Sequence, residues 1–118
     1  MGMTTVPLLI TSLDGKKKAS GTFLVDTGAT YTIIPADMAK KLGLKPDRTQ
    51  EFSLADGTIM ERKLGSAVVY LDGRKAPSIV VIGEKDDSPL LGAVTLEGMG
   101  LVVDPFSRKL RPMKLMLA

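Results

Sequence analysis

Short apolar runs follow one another along this chain, each separated from the next by a turn that contains glycine. Val6-Pro7-Leu8-Leu9-Ile10 predicts a first strand, ended by the turn at Asp14-Gly15. Residues 19–26 predict a second, closing on Phe23-Leu24-Val25, and the β-branched run Tyr31-Thr32-Ile33-Ile34 a third, which Pro35 ends. The period changes over residues 36–43, where Met38, Ala39 and Leu42 share a helical face and Gly43 follows as a C-cap, so a short helix is expected. Residues 51–54 and 58–63 flank Ala55-Asp56-Gly57, and residues 66–71 and 76–82 flank Asp72-Gly73; each Asp-Gly can supply the positive φ of a hairpin turn. Pro89-Leu90-Leu91-Gly92 reads as a short buried stretch, residues 93–98 as one or two helical turns, and 101–104 as a strand. The tail, residues 109–117, tends to alternate charged and apolar side chains. With no linker, repeat or low-complexity stretch, the pattern predicts one domain over residues 1–118, a small mostly-β barrel or sandwich with one or two short helices.

Composition narrows this picture mainly by what is absent. Aromatic residues make up 4% of the 118 positions and Trp is missing, so the core is expected to consist of Val, Leu, Ile, Met and Ala. The 7 methionines read most simply as core filler and tail anchors. No apolar run approaches the roughly 20 residues of a membrane-spanning helix, and the N-terminus lacks a basic leader. A soluble, cytoplasmic protein without membrane contact is the expectation. The net charge of +3 is mild, raised by the Lys16-Lys17-Lys18 run and by a basic tail at Arg108, Lys109, Arg111 and Lys114. Nucleic-acid binding calls for a concentrated basic face with stacking aromatics, so no nucleic-acid partner is expected. Cys and His are both absent, which excludes disulfides, thiolate nucleophiles, imidazole bases and Cys- or His-ligated metal. Proton transfer, if any, falls to Asp, Glu, Lys or Tyr, or to a bound cofactor.

One stretch invites a chemical reading: Phe23-Leu24-Val25-Asp26-Thr27-Gly28-Ala29-Thr30. Asp26 directly follows three apolar residues, and a carboxylate left uncompensated at the end of an interior strand is costly. Thr27 brings a hydroxyl, and Gly28 lets the backbone turn tightly and approach a partner closely. Catalytic groups are often held so, on a rigid element. Taken alone, the tripeptide is a weak signal and reads first as a surface turn whose Asp accepts backbone N–H bonds.

The downstream chain shifts the balance. FLVDTGATYTIIP resembles the active-site loop of the retropepsin-like aspartic peptidases, and further features of that family follow in order. ADGTI (55–59) falls at the flap hairpin, PLLG (89–92) at the apolar-apolar-Gly signature, residues 93–98 at the helix and GLVVDP (100–105) at the closing strand. The resemblance covers roughly residues 6–106 and, because a helix precedes the flap, is nearest the cellular and prokaryotic branch. It departs after Gly92, where many members carry Arg, Asp or Asn and this chain has Ala93, Val94 and Thr95, and at the flap, where Asp56 replaces a Gly-rich tip.

The resemblance implies an aspartic endopeptidase that needs no metal and no cofactor. Asp26, Thr27 and Gly28 would be its catalytic residues, and Ala29, Ala55, Asp56, Gly57, Thr58, Leu91 and Gly92 would contact an extended peptide or protein substrate. Two adjacent carboxylates that share one proton can both activate water and protonate the carbonyl oxygen. Only Asp26 has the motif, so a two-fold homodimer is expected to bring its second copy to the axis. The other carboxylates have simpler roles: Asp14, Asp56, Asp72 and Asp104 sit beside Gly or Pro in turns, and Asp86-Asp87 reads as a solvated loop with too few ligands for a metal. Two other functions fit parts of the sequence: a catalytically silent dimeric peptide-binding domain, and a phosphoryl-transfer enzyme with Asp26 as nucleophile. The second would need further Asp and Lys around Mg²⁺ and usually an α/β sheet, which the strand-rich pattern opposes.

Overall fold

The computed structural model describes residues 4–117. Strands take 47% of the described residues and helices 11%, so the mostly-β expectation holds. Chain order runs β1 (Thr5–Thr11), β2 (Lys18–Val25), β3 (Thr32–Ile34), α1 (Ala36–Leu42), β4 (Arg48–Ser53), β5 (Ile59–Leu71), β6 (Arg74–Ile82), β7 (Leu90–Leu91), α2 (Ala93–Gly98), β8 (Leu101–Val103) and β9 (Leu110–Pro112).

Period-two burial drives the main sheet. Leu8 and Ile10 on β1, Ala19 and Phe23 on β2, and Ala76, Ser78 and Val80 on β6 are buried while Leu9, Thr22, Pro77 and Ile79 between or beside them are exposed; the alternation stops at Thr11 and Val81, which are buried too. The strands lie in the order β1-β2-β7-β3-β6-β5-β4, and a further pairing of β1 with β5 (Leu9↔Tyr70, Ile10↔Val69, Thr11↔Val68) closes the sheet into a barrel. Closure gives each barrel strand a partner on both sides, while β4, paired with β5 alone, keeps an open edge. The core inside includes Leu8, Ile10, Phe23, Ile34, Val69, Val80 and Leu91. Phe23 is the largest fully buried side chain, a correction to the expectation of an aliphatic core; its burial contributes on the order of 2–3 kcal/mol.

The two Asp-Gly turns are built differently. Asp72 and Gly73 both have positive φ (47° and 80°) and join β5 directly to β6, the mirror-image turn that suits strand twist. At residues 55–57 only Gly57 is left-handed, at 87°, after a turn closed by Gly57 N–H to Leu54 O at 2.9 Å. The second difference from the sequence pattern concerns residues 58–63 and 66–71, which form one continuous strand. Leu64 and Gly65 are both buried where β5 leaves its partner β4 and passes between β6 and β1. The hairpin β4–β5 therefore projects from the barrel as an extension of one of its own staves. In the tail, β9 pairs with β8 of the same chain (Val102↔Arg111), and Arg111 Nε reaches Asp104 Oδ2 at 2.6 Å.

Candidate active site

The short strand β7 positions the Asp-Thr-Gly loop. It lies between β2, to which it is parallel (Val25↔Leu91), and β3, to which it is antiparallel (Ile33↔Leu90). The N–H of Asp26 donates to Leu91 O at 2.9 Å, so the backbone of this residue continues the ladder as its side chain leaves the barrel. The chain then turns at once. Asp26 Oδ1 accepts the Gly28 N–H at 2.9 Å, and Asp26 O accepts the Ala29 N–H at 3.1 Å. From the far side, Ala93 N–H donates to Ala29 O (2.8 Å) and Val94 N–H to Thr30 O (2.9 Å), which ties the loop to the start of α2. Asp26 is half-buried, while Thr27 and Gly28 are exposed. A Cβ on Gly28 would lie 3.2 Å from Asp26 Oδ1, so a side chain there would crowd the carboxylate. Among the described residues, none hydrogen-bonds Asp26 Oδ2 or the Thr27 hydroxyl.

Beneath the loop lies a chain of buried hydroxyls. Gly92 N–H donates to Thr32 Oγ1 at 3.0 Å, Thr32 Oγ1 meets Thr95 Oγ1 at 2.6 Å, and Thr95 Oγ1 meets Ser78 Oγ at 2.8 Å. No buried side-chain polar atom among the described residues lacks a partner.

Beside the loop a cleft of about 290 Å³ opens between Gly28, Ala29 and Tyr31 on one side and the β4–β5 hairpin on the other. Phe52, Met60 and Ile33 give it apolar walls, and the rings of Tyr31 and Phe52 meet edge-to-face with centroids 6.2 Å apart. One end is closed by a two-pronged ion pair, Arg62 Nε to Asp87 Oδ2 at 2.7 Å and Nη2 to Oδ1 at 3.0 Å. The Arg62 guanidinium holds the Asp87 carboxyl below the ordinary value of 3.8. A group whose folded-state pKa is depressed stabilises the fold above its unfolded pKa and loses that contribution as pH falls through the folded one. Asp87→Asn is therefore expected to lower stability by about 1 kcal/mol near neutral pH, the pair being partly solvated. Urea titrations at several pH values should show the gap between the two proteins closing below about pH 4.

The residues singled out in the sequence divide into three groups. Asp26, Thr27, Gly28 and Ala29 form the loop, and Gly28 and Ala29 border the cleft. Ala55, Asp56, Gly57 and Thr58 form the exposed hairpin tip, beyond the cleft wall; the Thr58 hydroxyl and N–H hold the Asp56 carboxyl below its usual range. Leu91 and Gly92, expected against substrate, are buried one layer deeper, because the β7 backbone is used up supporting Asp26. The wall residues Tyr31, Phe52, Met60 and Arg62 went unrecognised. The signal was the register of the hairpin, which pairs Phe52 with Met60 and puts Arg62, two residues on, on the same face.

Gly57→Val tests the hairpin tip. A Cβ there meets nothing within 4 Å, but φ of 87° disfavours a β-branched residue. Because the tip touches no core residue, turnover and KM for a peptide should suffer more than the unfolding midpoint; unchanged kinetics on several peptides would remove the flap assignment.

Comparison with known proteins follows the same lines. The family model described as "gag-polyprotein putative aspartyl protease" matches residues 12–98. Among solved structures, the solution structure of Simian Foamy Virus (mac) protease superposes with a TM-score of 0.52 at 20% identity, covering 77% of this chain and 91% of that one. That identity speaks for the fold alone. A search of curated proteins found no match. Helix α1, which suggested the cellular and prokaryotic branch, is present, while this structural neighbour is viral. With the motif inside a family match over residues 12–98, and a closed barrel built around it, the chain belongs to the retropepsin-like aspartyl protease family.

Proposed function

We propose that this chain is an aspartic endopeptidase that works as a two-fold homodimer. The observation that carries the reading is the state of the Asp26 loop. Its backbone is bonded on both sides, yet Asp26 Oδ2 and the Thr27 hydroxyl are left without a partner among the described residues, and the next residues of the loop, Gly28 and Ala29, line the cleft. A second copy related by a two-fold axis would meet both groups with their own counterparts. Two carboxylates that close share one proton. The ionised one takes a proton from water as the oxygen attacks the peptide carbonyl carbon, and the protonated one gives its proton to the carbonyl oxygen. As the resulting diol collapses, the carboxyl that took the water proton gives it to the nitrogen, the other carboxylate takes the proton of one hydroxyl, the C–N bond breaks and the amine leaves, with one proton again on the pair. The apolar cleft walls suit an extended peptide with a large apolar side chain near the cut.

Part of the C-terminal segment is available for the interface. Residues 110–112 are already paired with β8, but Leu115, Met116 and Leu117 follow outside any strand with 72%, 89% and 105% of their surface exposed. Such a run suits burial against its counterpart in a second subunit. Deleting residues 114–118 leaves β9 in place and is expected to shift the protein towards monomer in sedimentation, with specific activity falling steeply on dilution. The full-length protein should be inhibited by a statine-type transition-state mimic and show a bell-shaped pH profile whose limbs belong to the pair. Turnover that ignores the mimic, or needs a metal removable by chelators, would overturn the proposal; a truncated chain that remains a fully active dimer would move the interface elsewhere.

A further inference from the structure

Three hydroxyls from three different elements meet in the core: Thr32 of β3, Ser78 of β6 and Thr95 of α2, at 0%, 8% and 0% exposure. Each has a single proton, so the direction of their bonds can be worked out. Ser78 Oγ donates to Ile79 O at 3.1 Å, which leaves it an acceptor towards Thr95. Thr95 must then donate to Ser78 and accept from Thr32, and Thr32, having donated to Thr95, is the acceptor of the Gly92 N–H. Every bond points the same way, from the Gly92 amide into the core, and bonds so aligned polarise one another.

The upstream end of this chain is the backbone that holds Asp26. Leu91, immediately before Gly92, accepts the Asp26 N–H at 2.9 Å; Ala93 and Val94, immediately after, donate to Ala29 O and Thr30 O at 2.8 and 2.9 Å. Gly92 is thus the middle of a three-point attachment of the Asp26 loop, and its own N–H is fixed by Thr32. Thr32 gives its one hydroxyl proton to Thr95, and that bond fixes the side chain so that a lone pair of Oγ1 faces the Gly92 N–H. We infer that Thr95 is a positioning residue for Asp26, acting through Thr32 and Gly92. Its hydroxyl touches neither Asp26 nor the cleft. Burying it, where Val would fill nearly the same space, is justified by the bond it completes.

This inference rests on the peptidase reading for its kinetic arm and is independent of it for its spectroscopic arm. Thr95→Val removes the hydroxyl and keeps the shape. It is expected to lower kcat about tenfold to a hundredfold through misplacement of the carboxylate, with KM within about twofold. Amide exchange at Asp26 and Gly92 should quicken at least about tenfold while the β5–β6 ladder keeps its protection. Thr95→Ser, which restores the hydroxyl, should restore both. Unchanged kcat and unchanged exchange at these two amides would overturn the inference. So would a loss in which all amides quicken together and Ser gives no rescue, the mark of general destabilisation. If Thr95→Val does not fold, Ser78→Ala, which removes the far end of the chain, is read in the same way with a smaller loss, and no change at either amide or in kcat overturns it. Parent protein without turnover would sink the peptidase reading, while the exchange arm would still decide the role of Thr95.

Discussion

Asp26→Asn is expected to abolish detectable peptide hydrolysis, lowering kcat by about 10⁴-fold, with fold and assembly preserved. The amide is nearly isosteric, and its oxygen can still accept the Gly28 N–H that Asp26 Oδ1 accepts at 2.9 Å. The loop therefore keeps its shape while the base is gone. A sharper form of the experiment mixes parent and substituted chains in equal amounts under conditions that allow exchange. If the two carboxylates of a dimer work as a unit, only parent–parent pairs are active, about a quarter of the total for random pairing. Residual activity of one half would show that each chain works alone and would contradict the shared dyad.

Gly92→Ala should have the largest effect on stability. The backbone at Gly92, φ −97° and ψ 175°, is one that any residue adopts, so the demand is for space and not for conformation. An added Cβ would sit 2.5 Å from the Tyr31 carbonyl carbon, 2.6 Å from its oxygen and 2.9 Å from the Thr32 nitrogen. These are backbone atoms at the start of β3, and they cannot swing aside as a long side chain would. Overpacking of this kind costs about 3 kcal/mol or more where the surroundings are rigid, and here they are held by the Ala93, Val94 and Gly92 N–H bonds together. Denaturant unfolding should register a loss of that size. A loss below about 1 kcal/mol would mean that β7 can move away from β3, and that the Asp26 loop is less firmly fixed than its bonds suggest.

Local chemistry was legible in the sequence and long-range geometry was not. The apolar runs along 6–10 and 76–82, the Asp-Gly hairpins, the helix ending at Gly43 and the exceptional Asp26 are all written in near neighbours, whose sterics and burial act over a few residues. Gly65, by contrast, suggested a break between two strands. It marks a change of partners, because Leu64 still pairs with both Arg48 and Val81 while further along β5 Val69 pairs with Ala76 and Ile10. Closure of the barrel by β1 and β5 likewise depends on residues about sixty positions apart, and no local pattern encodes it. Leu91 and Gly92 were recognised as special, yet their depth follows from β7 inserting between β2 and β3, a tertiary event. Thr95 looked like the loss of a polar feature after Gly92; only the fold shows that its hydroxyl is paired.

The attachment of the Asp26 loop has a consequence for the order in which the protein is made. Asp26 belongs to the first quarter of the chain, but the carbonyl that holds its N–H is that of Leu91, and the amides that tie down Ala29 and Thr30 come from Ala93 and Val94. On a ribosome, which delivers the N-terminal part first, β1, β2 and the hairpin β4–β5 can begin to pair while the loop still lacks every one of these bonds. The loop can be fixed only after β7 and the start of α2 have emerged. Its carboxylate is translated early and set in place late, so a nascent chain long enough to form much of the barrel still lacks an ordered Asp26.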